Sequence, residues 1–349
     1  MRIRNMQRTL RINAFSCRSD HTIERCSIVR IGVIVLDNVL PQHMGMSVEV
    51  LIKNAASDCG EGPHWDDKTK TILFVDFGEK TVHRLNYATG EDEIKHFDDR
   101  VSFIVPRRSG GYMIGHGKAL SHADWDSNVV TTLAEVVEPW NNTRFNDGEC
   151  DASGRLWAGT LAEANALGVR EPARGSLYSL NKDHKITKHE DKITLSNGMD
   201  WTADNKTMFY IDSEARQVWG YDFDVDAGSI SNKRTVVDFG GAETMDTLGV
   251  PDGMTIDNNG HIWVTCYGVG KVVCFDPETG KSIRTVEFPE AKKTTSCCFG
   301  GPNMDELFVT SGTFNLTPEQ VRNEQPLAGS LFRVTGLGVK GKHANVYEG

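Results

Sequence analysis

The feature that most constrains this chain is a short strand-like run that returns six times. TILFVDF (71–77), GYMIGHG (111–117), RLWAGT (155–160), TMFYIDS (207–213), HIWVTC (261–266) and ELFVTS (306–311) share one shape, with centres about 39 to 54 residues apart. That period fits a propeller blade, and the runs are too short and too β-branched for helical solenoid repeats. Each run leads into another strand and a polar turn, as in TVHRLNY before ATGED and KVVCFD before PETG. Each is preceded by a strand ending in a reverse-turn pair such as Asp66-Asp67, Ser153-Gly154 or Asn259-Gly260. Outer runs such as DEIKHFD, ITKHED, NKRTVVDF and SIRTVEF supply a fourth strand. The expectation is all-β: a six-bladed β-propeller with four antiparallel strands per blade. The sixth copy lacks a clear outer strand at its C-terminal end, so VEVLIK at 48–53 is expected to close the ring and cover the open edge.

Composition agrees with this reading and removes several function classes. A chain of 349 residues with 34 glycines and 8% aromatics suits many short strands cut by turns. No stretch of 18 apolar residues offers a membrane span. The net charge is −10, and no Lys/Arg stripe forms, which argues against nucleic acid as a partner. The eight cysteines show no C-x-x-C spacing, and Cys266, Cys274, Cys297 and Cys298 sit in apolar strands. Buried free thiols in a reducing compartment are expected, with the cytoplasm first, the nucleus also open, and mitochondrial targeting by residues 1–45 as the alternative. Those 45 residues differ from the rest, with seven arginines, no lysine and three acids. They read as a disordered or targeting extension, and Met46 as the start of a single propeller domain over 46–349.

In a propeller the first strand of each blade lines the central channel, so residues near its start form a ring at one mouth. There stand Glu61-Gly62, Asp147-Gly148, Asn197-Gly198 and Asp252-Gly253, read as equivalent places. Oxygen-bearing side chains converging on one axis repel unless a cation sits among them, and hard oxygen donors suit Ca²⁺, Mg²⁺ or Mn²⁺. The competing reading is that Asn-Gly and Asp-Gly are ordinary hairpin dipeptides on solvated loops. The long connections 161–174 and 312–329 are expected to return to the same mouth and cover it.

The segments EGPHW (61–65), RFNDG (144–148), LSNGMDW (195–201), PDGMTID (251–257), TTSCCFGG (294–301) and GLGVKG (336–341) resemble the regucalcin branch of the SMP-30/gluconolactonase family, from about residue 46 to the C-terminus. The resemblance implies a six-bladed enzyme with one divalent metal ion (Ca, Zn, Mn or Mg) that hydrolyses sugar lactones. It implies Glu61, Asn197 and Asp252 as metal ligands, Asp252 also as catalytic acid/base, and Arg144 and Asn146 as sugar contacts. Asp147, selected by the ring count, then becomes a supporting acid. In AGTLAEA, Glu163 stands as the first of an acidic pair and is expected to bind substrate. Ala164 occupies the family's second, sugar-contacting position, which leaves substrate choice open.

The chemistry follows: a metal-bound lactone carbonyl is polarised, and Asp252 takes a proton from the attacking water. Arg144 either holds sugar hydroxyls and developing oxyanion charge or pairs with Asp147 or Glu149. No phosphate-cradling loop, G-x-S-x-G elbow or H-E-x-x-H pair offers other chemistry. The alternatives are an enzyme of the luciferin-regenerating kind in the same family and a non-catalytic calcium-binding regulatory protein.

Overall fold

The structure, a computed structural model, describes residues 45–140, 142–165 and 169–349. Among the described residues, twenty-four strands form six antiparallel four-stranded sheets. The innermost strands of blades I to VI are Gly60–Asp66, Val101–Pro106, Thr143–Cys150, Ser196–Trp201, Val250–Ile256 and Thr294–Gly300. Each packs against the innermost strand of the next blade, and that of blade VI packs against blade I, so the ring is closed.

Blade I shows why these sequences form these strands. Its second strand, Thr71–Asp76, is buried at every position and reads as a largely β-branched and aromatic run that ends in Asp76. Its fourth, Asp92–His96, is mostly exposed and polar. The same gradient reaches Ser282–Glu287 in blade V, where only Val286 is buried. Between blades the core consists of large residues such as Trp157, Trp201, Trp263 and Phe308, each buried.

The N-terminal strand closes the ring as expected. Ser47–Ile52 is the outer strand of blade VI, antiparallel to Leu331–Thr335, with Ser47 opposite Thr335 and Val50 opposite Phe332. The Arg-rich extension expected over 1–45 lies, apart from Gly45, outside the described residues. Among the described residues no helix is long and apolar enough to cross a membrane, and Cys59, Cys150, Cys266, Cys274, Cys297 and Cys298 are free thiols.

An aspartate fixes the far end of two innermost strands. In blade III, Asp151 Oδ1 accepts from the backbone of Ser153 (2.9 Å) and Arg155 (3.1 Å), while Oδ2 accepts from Trp157 Nε1 at 2.8 Å. In blade V, Asp257 accepts in the same way from Asn259 N (2.8 Å), His261 N (3.0 Å) and Trp263 Nε1 (3.0 Å). Each carboxylate satisfies a turn and anchors a buried tryptophan, which sets where the strand ends.

The C-terminal segment runs over these same strand ends. Asn258 N donates to Lys340 O at 2.7 Å, Lys342 Nζ to Trp201 O at 2.7 Å, Asn345 Nδ2 to Cys150 O at 3.0 Å, and Tyr347 N to Pro106 O at 3.0 Å. It therefore passes blades V, IV, III and II in turn and covers one end of the channel. The other end carries the candidate site.

Candidate functional site

Every innermost strand carries a β-bulge, and the bulges place the side chains of the site. Pairing with the second strand slips between Glu61 and His64, Val101 and Ile104, Phe145 and Gly148, Ser196 and Met199, Pro251 and Met254, and Thr294 and Cys297. Two residues then oppose one, which twists the strand and re-aims both side chains. The first bulge residue is Gly62, Ser102, Asn146, Asn197, Asp252 or Thr295 in blades I to VI.

This register corrects the ring read from dipeptides. Asn197 and Asp252 are equivalent, and their counterpart in blade III is Asn146. Asp147 stands one position later in its bulge, and Glu61 stands one position before Gly62. The Gly-terminated dipeptides are nevertheless not solvated hairpins, because they lie inside strands. A Cβ on Gly198 would meet Met254 N at 2.5 Å, and one on Gly253 would meet Ser296 Oγ at 2.1 Å. These glycines allow neighbouring innermost strands to approach closely.

Three carboxylates share this low-dielectric mouth. Asp252 and Asn197 are only 8% and 4% exposed, and Glu61, Asn146 and Asp147 are half-buried. Burial, then Asp252 and Asp147, hold the Glu61 carboxyl well above the usual range, with only partial relief from Gly62 N–H and Arg144. Burial and then Asp147 raise Asp252 in the same way, against a hydrogen bond from Asn197. Burial pushes Asp147 up to about 7. Asp252 Oδ1 is buried without a hydrogen-bond partner, a costly state for a carboxylate oxygen. Oxygen-only donors, mutual repulsion and an orphaned acceptor together fit a hard divalent cation.

A hydrogen-bonded chain orients the amides. Arg144 Nη1 donates to Phe145 O at 2.9 Å and to Asn146 Oδ1 at 2.7 Å. Asn146 Nδ2 donates to Ser196 O at 2.7 Å and lies 3.5 Å from Asn197 Oδ1, while Asn197 Nδ2 donates to Ser213 Oγ at 2.9 Å. With its nitrogen serving Ser213 and the Asp252 carboxylate, Asn197 turns its oxygen toward Asn146. The Arg144 guanidinium lies 4.0 Å over the Phe77 ring and its Nε is 3.4 Å from Glu163 Oε1. Its ion-pair partner is therefore Glu163 and neither Asp147 nor Glu149. Burial lowers Arg144 to about 10. Arg100 binds the same Glu163 oxygen.

Both long connections reach the mouth. Glu163, Ala164 and Arg170 from one and Phe314 from the other line a cavity with Arg144 and Arg100. Arg100, Arg170, Phe77 and Ser213 belong to the surroundings of the site without any motif to mark them. Tyr267 belongs there too: burial raises its phenol, as do Cys59, Asp252 and Glu61. Elsewhere, Asp257, His261 and Cys274 bring ligand atoms within 4.8 Å of one another. The Asp257 oxygens are already taken by its turn and Trp263, and Arg155 stands at the corresponding place beside Asp151 in blade III, so this cluster is a structural corner.

Comparison with known proteins agrees with this architecture. The family described as SMP-30/Gluconolactonase/LRE-like region matches residues 59–313. A regucalcin of Gallus gallus is 44% identical over 282 residues, spanning 81% of this chain and 92% of that protein. A solved luciferin-regenerating enzyme superposes with a TM-score of 0.79 at 36% identity, covering 87% of this chain and 100% of its own. A calcium-binding regucalcin from Agrobacterium tumefaciens gives a TM-score of 0.78 at 27% identity, covering 87% and 98%. The chain belongs to the SMP-30/gluconolactonase/LRE-like family.

Proposed function

We propose that this protein is a divalent-metal-dependent hydrolase of aldonolactones. The observation that carries the reading is the orphaned Asp252 Oδ1, buried beside Glu61 and Asp147, with Asn197 between it and the Arg144–Asn146 pair. Glu61, Asn197 and Asp252 would hold the ion, and its oxygen-only donor set favours calcium, magnesium or manganese, with zinc also to be tested. When bound, the ion supplies Lewis-acid polarisation of the lactone carbonyl. Asp252 takes the proton of the attacking water as the water oxygen bonds to the carbonyl carbon, and the ring C–O bond then breaks as Asp252 returns that proton to the ring oxygen, giving the open aldonic acid with its freed hydroxyl. Arg144 and Asn146 hold sugar hydroxyls, and Glu163 fixes Arg144 from the other side. Ala164, Arg170 and Phe314, from the two long connections, line the cavity through which substrate would enter.

The family's name includes gluconolactonase, and the similarity to a calcium-binding regucalcin supports calcium as the ion. A second reading, an enzyme of the luciferin-regenerating kind, is favoured by the 36% identity with that solved enzyme. The test is hydrolysis of D-glucono-1,5-lactone after chelation and after adding back Ca²⁺, Zn²⁺, Mn²⁺ or Mg²⁺ one at a time. Metal-restored turnover is expected. No turnover with any ion, or full turnover in chelator, would remove the reading.

A further inference from the structure

Three guanidinium groups converge on one side of the mouth, and a neutral sugar leaves them poorly matched. Arg100 and Arg144 share a single oxygen of Glu163. Arg144 commits only Nη1 to hydrogen bonds, and its Nε is buried without one. Arg170 donates Nη1 to Ala162 O at 2.6 Å, and its opposite charges, Glu214 and Glu163, form no ion pair with it. Each guanidinium carries five N–H donors in a planar fork, so much of this donor capacity faces the cavity. Ala164, which follows Glu163 and lines the same cavity as Arg170, brings no counter-charge to it. The acids Asp58 and Glu79 line the same cavity, and Arg100 and then Lys293 are in electrostatic reach of Asp58. The mouth thus carries carboxylates as well as guanidiniums, and Arg100 is partly balanced, whereas the Arg144 and Arg170 forks are less so.

We infer that the site takes an aldonolactone bearing an anionic group, a carboxylate or a phosphate, at the end of the sugar away from the carbonyl carbon, or the aldonate product, in which that group is the second anion. This rests on the lactone reading above. With the carbonyl at Asp252, that distal group reaches the Arg100, Arg144 and Arg170 side. There it accepts charge-assisted, bidentate hydrogen bonds that a hydroxyl cannot match. The buried Arg144 Nε, left unpaired by a neutral ligand, selects against it.

The test is equilibrium binding by titration calorimetry to the full calcium-loaded chain, which needs no turnover. The probes are D-gluconate, D-glucarate and 6-phospho-D-gluconate, and the last two separate a carboxylate from a phosphate. At least one dianion should bind about tenfold more tightly than gluconate. That advantage should shrink as NaCl is raised. Arg170→Gln removes a fork, while Ala164→Glu places a carboxylate beside it; either should cut the advantage to within about threefold. The two variants act by different means, so misfolding of one leaves the other informative. Gluconate binding as tightly as both dianions, no binding of any probe, or a preference that survives both substitutions would overturn the inference. Lactone turnover without a dianion preference would sink this inference alone. A dianion preference without turnover would sink the lactone reading and leave the ligand class standing.

Discussion

Asn146 Oδ1 accepts from Arg144 Nη1 at 2.7 Å, and this one bond decides which end of the amide faces blade IV. Because the oxygen is taken, the nitrogen donates to Ser196 O at 2.7 Å across the blade boundary. Two neighbouring blades and a candidate substrate residue are thereby tied through one side chain.

Asn146→Asp tests that link. A carboxylate still accepts from Arg144 but cannot donate, so two acceptors face each other at Ser196. The loss should be about 1–3 kcal/mol of unfolding free energy, read from urea denaturation. Unchanged stability would show that the inter-blade bond contributes nothing.

Asp252→Asn should separate the two roles proposed for that residue. Asparagine keeps an oxygen of similar size but loses the charge and nearly all proton affinity. At saturating metal the lactone turnover should stay about 10²- to 10⁴-fold down. Asn197→Asp, which keeps the coordinating oxygen, should be much milder. Recovery of Asp252→Asn to the wild-type rate would make Asp252 a ligand only and move the base to Asp147 or Glu163.

The buried carboxylates give metal-free stability a definite slope with pH. Asp147 has a folded pKa of about 7 against an ordinary value of 3.8, and burial raises Glu61 and Asp252 in the same direction. Between the two values the folded state holds more protons than the unfolded state, so stability falls as pH rises. In chelator, the melting temperature should drop from about pH 5 to about pH 7.5. Added Ca²⁺ should restore more at the upper end, because it binds the ionised form. Asp147→Asn should flatten the chelator slope; a metal-free melting temperature that climbs across this window would contradict the assignment.

The fold is legible in the sequence because the second strands are buried on both faces. Runs such as Ile72–Val75 and Leu307–Val309 therefore read as continuous apolar segments at blade spacing. Ser47–Ile52 is legible by elimination, since the sixth copy lacks an outer strand. The equivalence of site positions is not legible: a bulge is a property of pairing, and nothing in the dipeptides shows that Asn146 rather than Asp147 matches Asn197 and Asp252. Arg100 and Arg170 carry no signal either, because the first opens blade II and the second comes from a long connection. The helix Pro318–Asn323 has a readable start in the Thr317–Gln320 capping box, yet it sits inside a segment expected only to be a loop.

Tyr347 should be the fastening of the C-terminal segment. It is fully buried, its hydroxyl donates to Asn181 O at 2.6 Å, and its ring stacks on His184 at 6.3 Å between centroids. Tyr347→Ala should cost about 3–5 kcal/mol by the cavity it leaves. Tyr347→Phe should cost about 1 kcal/mol, the net worth of one hydrogen bond. Similar denaturation midpoints for the two variants would mean that the ring is not what holds the segment.

The ring closure makes the boundary near residue 46 testable by truncation. Ser47–Ile52 hydrogen-bonds to Leu331–Thr335, and Glu49 adds an ion pair to Arg333 at 2.6 Å. Removing residues 1–45 leaves every one of these pairings in place, so that variant should melt like the full chain and keep any metal-dependent turnover. Removing residues 1–53 deletes the whole strand. The Leu331–Thr335 strand then becomes an exposed edge, and first and last blades are no longer joined by a strand from each end of the chain. That variant should unfold at lower temperature and aggregate, as read by thermal melting with light scattering. Failure of the shorter truncation to fold would mean that residues 1–45 belong to the domain, and an unshifted melt of the longer one would mean that the closing strand is dispensable.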